Sequence, residues 1–343
     1  MTVYVELKDG GAVFRHPSGH DDAMDELDGV LDRRDKGRLD GDRYRRALEG
    51  LVWRHPWFIE GHVHVGDALF ERREFGPALE AYGRGYALGA AALPAGFDER
   101  IAWRHPENRP FLRAAYGVAL SKVRTGRRDE GISTMARMLA WNPEDHQGIR
   151  LVIGSELLRA GEDERAMSFF ETGMEPDWYP PLRYEAALLL LRQGLHVEAA
   201  TRLRRGFVEN GYIAEVLCGN PHPLPGAIWH GSDWAGPGVA MEYVLDYGML
   251  WHVTPEAVAF LRWLHTHPKV MAERAGILQL EEALLWERDA TRRASIRDRA
   301  EAARERIDGR LSEQIVVERT DRHGRSVLPW LRPGDPAPGR TTE

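Results

Sequence analysis

The side chains able to do chemistry are scattered along this sequence, and their spacing leaves few of them able to act together. Its 14 histidines include two close pairs, His62-x-His64 and His265-x-His267, and three Arg-His-Pro triplets at His16, His55 and His105. On a helix, residues two apart point to different faces, so His62 and His64 are badly placed to share one metal ion. Cys218 is the single cysteine, which excludes an internal disulfide and a cysteine-rich zinc site. There is no phosphate-binding glycine loop, no His-Glu-x-x-His and no Gly-x-Ser-x-Gly. Adjacent acids such as Asp21-Asp22 are ordinary on solvated helices. The expectation is a protein without catalytic residues, bound metal or cofactor.

One charged group does recur in register. Arg124-Thr-Gly126, Arg159-Ala-Gly161 and Arg192-Gln-Gly194 each follow an apolar run and precede an amphipathic segment. Three guanidinium groups in one register would suit carboxylates as a ladder. The alternative is that each arginine ends a helix, where the helix dipole favours a cation.

The three glycines of these triplets lie 35 and 33 residues apart. That is the period of a two-helix repeat, whose single unit cannot bury its apolar face alone. Glycine fits the bend because a helix commonly ends in the left-handed conformation. Five residues on stand Gly131, Ala166 and Ala199, where two helices must approach closely; four further on stand Met135, Phe170 and Leu203. Seven residues before each glycine are Ala119, Gly154 and Ala187. Upstream, Gly66, Ala78 and Tyr82 take the same three slots, with Gly85 at a further small-residue position and Arg73-Glu74-Phe75 at the bend in place of glycine. Ala47 and Leu51 suit the second helix of a degenerate repeat.

This order of small and large residues resembles the tetratricopeptide repeat (TPR). Four stretches go further: Glu107-Asn-Arg-Pro-Phe-Leu-Arg113, Asn142-Pro-Glu-Asp-His-Gln-Gly-Ile-Arg150, Asn210-Gly-Tyr-Ile213, and Glu242-Tyr-Val with Trp251 and Thr254-Pro-Glu-Ala257. Together, over about residues 103–264, they resemble bacterial TPR proteins distantly similar to the "suppressor of tumorigenicity seven" family. The resemblance implies a helical-repeat interaction protein and transfers no catalytic residue.

The expected fold is all-α: a TPR-like right-handed α-solenoid with helical C-terminal elaboration. Residues 1–16 read as a small β-hairpin, with alternating apolar residues on either side of Lys8-Asp9-Gly10-Gly11. Residues 17–56 read as capping helices or a degenerate repeat, and 57–214 as the solenoid, interrupted by an insertion at 89–110. A loop rich in Pro, Gly and Trp follows at 215–238, then helices over 239–310. Thr254-Pro255 reads as a helix start, and one long helical stretch is expected from Pro268 towards Asp308. Short strands are expected within 311–332, with a sheet joining the two chain termini as one option, and a disordered tail at 333–343.

The net charge of −7 argues against a nucleic-acid partner, which usually needs a basic face. No apolar run approaches the ~20 residues of a membrane span, and Met1–Gly10 lacks the pattern of a signal peptide. A cytoplasmic protein is expected. In the TPR register the inner groove is lined by Tyr116, Leu120 and Arg124, then Leu151, Ser155 and Arg159, then Leu188 and Arg192. An open groove of this kind would take a protein or peptide as an apolar or amphipathic helix. Because large exposed apolar patches are rare on monomers, coverage by the chain's own C-terminal helices or the 215–238 loop is the competing state. The function read from these features is a non-catalytic scaffold or adaptor. The alternatives are a regulator or immunity-type protein that neutralises one dedicated partner, and a small-molecule or metal-dependent enzyme using the 219–238 loop.

Overall fold

The computed structural model describes residues 2–8, 10–172, 179–321 and 323–331. They are mostly helical and fall into two compact units, residues 1–156 and 157–343, whose boundary lies inside one helix. The tail expected to be disordered, 333–343, lies outside the described residues.

The first unit opens with strands β1 (Tyr4–Lys8) and β2 (Gly11–Arg15), paired antiparallel with Val5 opposite Phe14. Then come α1 (His20–Asp35), α2 (Gly41–Arg54), α3 (Ile59–Glu71), α4 (Phe75–Ala90), α5 (Arg109–Arg124) and α6 (Arg128–Trp141). Helix α7 (Arg150–Ala160) carries the unit boundary. Leu27, Leu48, Leu51, Phe58, Ile59, Phe111, Leu112 and Met135 form the buried core. Between α4 and α5 the chain is pinned by Asn108. Its Oδ1 accepts the Phe14 amide at 2.9 Å, and its Nδ2 donates to the Ala12 and Ala102 carbonyls at 3.0 Å each. This corrects the option of a sheet joining the termini. Strand β2 docks on the 100–108 segment, and the strands β3 (Arg319–Thr320) and β4 (Ser326–Val327) pair with each other.

The second unit contains α8 (Asp163–Thr172), α9 (Pro180–Arg192), α10 (His196–Glu209), α11 (Gly211–Leu217), α12 (Pro237–Val253), α13 (Ala257–Thr266), α14 (Pro268–Trp286), α15 (Ala290–Glu305) and α16 (Gly309–Ile315). Almost every residue of α9 from Pro180 to Leu191 is buried, so this helix is the centre of the unit. Trp251 of α12 is fully enclosed beside Tyr184 of α9 and donates its indole N–H to the Tyr243 hydroxyl at 3.0 Å.

Gly126, Gly161 and Gly194 each stand between two helices with φ of 85°, 76° and 74°. At the equivalent place between α3 and α4, Arg73 adopts φ 61°. The bend is therefore the same without glycine, at the cost of the left-handed conformation for a residue with a Cβ. Two helix expectations need correcting. Thr254 does not start a helix: its hydroxyl donates back to the Leu250 carbonyl at 2.8 Å, closing α12, and α13 begins at Ala257. The long stretch after Pro268 is broken at residues 287–289, because the Asp289 carboxylate caps the Arg292 amide at 2.9 Å and starts α15 afresh.

Candidate functional site

The residues expected to line an inner groove have separate fates. On α5, Tyr116 and Leu120 are half-buried, and burial pushes the Tyr116 hydroxyl up to about 12. Arg124 donates to Glu156, a fully buried carboxylate, at 3.2 Å. On α7, Leu151 is half-buried and Ser155 is buried. Arg159 donates to the Asp246 carbonyl and lies 4.6 Å from the Tyr247 ring centre. On α9, Leu188 is 0% exposed, so it packs the core and cannot line an open groove. Arg192 donates to Asp163 at 2.8 Å and to the Thr254 hydroxyl at 3.1 Å. Each arginine of the repeating register is thus engaged within the protein, Arg124 and Arg192 by carboxylates and Arg159 by a backbone carbonyl. For α9, the covered state is the observed one, with α12 among the helices that cover it.

Two other features were not assembled from the sequence. The first is a stripe on α12. Met241, Leu245, Met249 and Val253 recur every four residues, which places them on one helix face. They are 39%, 69%, 69% and 63% exposed, while Tyr243, Tyr247, Leu250 and Trp251 of the same helix are buried. Its sequence signal is hidden, because α12 is apolar on both faces and periodicity does not say which face is inward.

The second is a cavity of about 960 Å³ in the second unit. One wall is the loop from Leu224 to Ala235; the others come from α9, α10, α11, α13, α14 and α15. The loop is tied down from below. Asn210 accepts the Tyr212 and Ile213 amides at the start of α11, and its Nδ2 donates to the Trp234 and Gly236 carbonyls at 2.8 and 3.0 Å. The Tyr212 hydroxyl accepts the Gly226 amide at 2.6 Å and shares a hydrogen bond with His230 Nε2 at 2.9 Å. The Trp229 amide donates to the Glu281 carbonyl at 3.1 Å.

No protein-family model matches this chain, and no curated protein matches it in sequence. Its chemistry is therefore read from the walls alone. Arg183 pairs with Glu209 at 2.6 Å, Arg304 pairs with Glu281, and Arg205 donates to the Ile307 carbonyl at 3.0 Å. Burial raises the Glu281 carboxyl against the pull of Arg304. Among the described residues, Arg274 has no hydrogen-bond or ion-pair partner, and its Nη1 is closed off from water. Burial lowers its pKa, partly offset by the nearby charge sites of Tyr184 and Glu215. Among the described residues no group of three or more His, Cys, Asp or Glu is placed to hold a metal ion.

His265 lines the same cavity with its ring edge-on to Phe207, and burial, reinforced by Arg274, pushes it down to about 4. In the unfolded chain it takes a proton near about 6.5. Between those values the unfolded state holds more protons, so His265 contributes stability that is present above about pH 6.5 and lost as the pH falls towards about 4. His16, His20 and His62, each lowered mainly by burial, act with the same sign. The urea midpoint is therefore expected to drop between about pH 7 and about pH 4.5, and a His265→Phe variant to lose less over that interval. Identical losses in the two proteins would remove His265 from this account.

Proposed function

We propose that the chain is a non-catalytic interaction scaffold or adaptor, a cytoplasmic TPR-like right-handed α-solenoid that holds a protein partner. The repeat reading is supported by helix pairs that turn on a left-handed residue and by small residues at their close approaches. None of the described helices is long and apolar enough to cross a membrane.

The observation that carries the proposal is the α12 stripe. Four large apolar side chains left in water along one helix face are costly to a monomer and favourable at an interface. Two are methionines, whose flexible thioethers adapt to a facing surface. Exposed Glu242 stands beside the stripe and the chain carries a net charge of −7, so the fitting occupant is an amphipathic partner helix with basic flanks.

The test is binding of a designed amphipathic helical peptide with a leucine face and lysine flanks, measured by titration calorimetry. Leu245→Glu with Met249→Glu is expected to weaken binding by about tenfold or more while leaving the melting temperature unchanged, since both side chains are already hydrated. Tyr116→Glu and Leu120→Glu serve as the contrast. If they abolish binding and the α12 changes do not, the partner lies on the α5 face and the stripe is not the interface. Equal binding by all variants would remove the proposed role.

A further inference from the structure

The cavity of the second unit holds a charge that nothing in the fold uses. Arginine is always ionised at neutral pH, and a guanidinium with one nitrogen kept from both water and acceptors, as Arg274 Nη1 is, is costly unless an anion joins it. Its neighbours on the wall make the contrast clear, because Arg183 and Arg304 each have a carboxylate. We infer that this cavity is a binding site for a small organic carboxylate carried on an apolar, ring-bearing body, with the carboxylate taken by Arg274.

Each part of that ligand follows from a wall. A planar carboxylate matches the fork of a guanidinium, and it supplies the single negative charge that balances a single cation. A phosphate dianion fits less well, because Glu209, Glu215 and Glu281 already line the space and would repel the second charge. The ring-bearing body follows from Trp229 and Trp234, whose partly exposed indoles line the space. A volume of about 960 Å³ accommodates a small molecule with room for water. The loop that forms the outer wall is fastened by Asn210 and Tyr212, so the space is built into the resting fold. Neutral His265 beside Arg274 adds no second cation and leaves a ring nitrogen for the ligand's polar edge.

The inference is independent of the α12 interface, and the experiment separates the two. The probes are 3-phenylpropionate and indole-3-propionate, each paired with its neutral amide, titrated into the full chain by calorimetry with tryptophan fluorescence alongside. The acids are expected to bind on the order of tenfold to a hundredfold more tightly than their amides. Arg274→Gln is expected to erase that difference, and Leu245→Glu with Met249→Glu to leave it intact. Stability provides the second readout. Without ligand, Arg274→Met is expected to melt at the same temperature or higher, because it removes a poorly hydrated charge. The proposal is overturned if neither acid binds at millimolar concentration, if acids and amides bind alike, or if Arg274→Gln leaves the preference unchanged. It is also overturned if Arg274→Met melts several degrees lower, since the guanidinium would then support the fold. Binding of the acids only at the end of a peptide chain would equally exclude the small-acid reading.

Discussion

Replacing Arg204 with alanine is expected to cost the second unit about 3–5 kcal/mol, the range found when one partner of a buried ion pair is removed. The side chain is 2% exposed on α10. Its Nε donates to Glu273 of α14 at 2.9 Å, and Nη2 makes a second bond to the same carboxylate. Nη1 donates to the Asp308 carbonyl at 2.7 Å and to the Ser312 hydroxyl at 2.9 Å, at the start of α16. One guanidinium therefore joins three helices, and alanine would strand a carboxylate and a carbonyl together. Denaturant unfolding followed by circular dichroism measures the loss. The double change Arg204→Met with Glu273→Leu is expected to recover part of it, because neither charge is then left alone. A loss below about 1 kcal/mol for Arg204→Ala would show that the network contributes little.

The second large effect concerns Tyr82 of α4. Its ring lies between Gly66 of α3 and Gly117 of α5, and its hydroxyl donates to Asp67 at 2.6 Å. A Cβ added at Gly117 would stand 2.2 Å from ring carbon Cδ1, and one at Gly66 would stand 2.6 Å away. The ring cannot swing aside without giving up Asp67. Gly117→Ala is accordingly expected to cost about 2–3 kcal/mol or more, even though alanine is the better helix former by about 1 kcal/mol. Gly83, next to Tyr82 on the same helix, has no atom within 4 Å of the added methyl. Gly83→Ala is expected to gain about 0.5–1 kcal/mol. The same chemical change thus has opposite signs in neighbouring helices, and thermal melts of the two variants read it directly. A stable Gly117→Ala protein would mean that α4 and α5 can separate freely.

These sites also indicate what a sequence alone can reveal. Bends are local, so Gly126, Gly161 and Gly194 can be found from their own chemistry and spacing. Arg73 has the same backbone conformation but no compositional mark, and only the positions of the flanking helices reveal it. The caps at Thr254 and Asp289 depend on which of two helices a hydroxyl or carboxylate serves, and residue type leaves both choices open. Leu188 belongs to an amphipathic register that predicts one outward face, yet later helices cover that face, a tertiary effect invisible to periodicity. The cavity was the least legible feature. Asn210, Tyr212 and Trp229 stand out in the sequence, but Arg274 looks like any helical arginine until the absence of an acceptor is seen in three dimensions.

Trp330 has a consequence for biosynthesis. It is nearly fully buried against Phe260, Trp263 and His196, and it donates to Glu256 at 2.7 Å across 74 residues of chain. On a ribosome, α13 is made well before the indole that finally covers its aromatic rings, so the nascent second unit carries a sticky face until that residue arrives. That interval is the natural point for a holdase chaperone to act, and slowing translation within it should increase aggregation of this unit more than of the first.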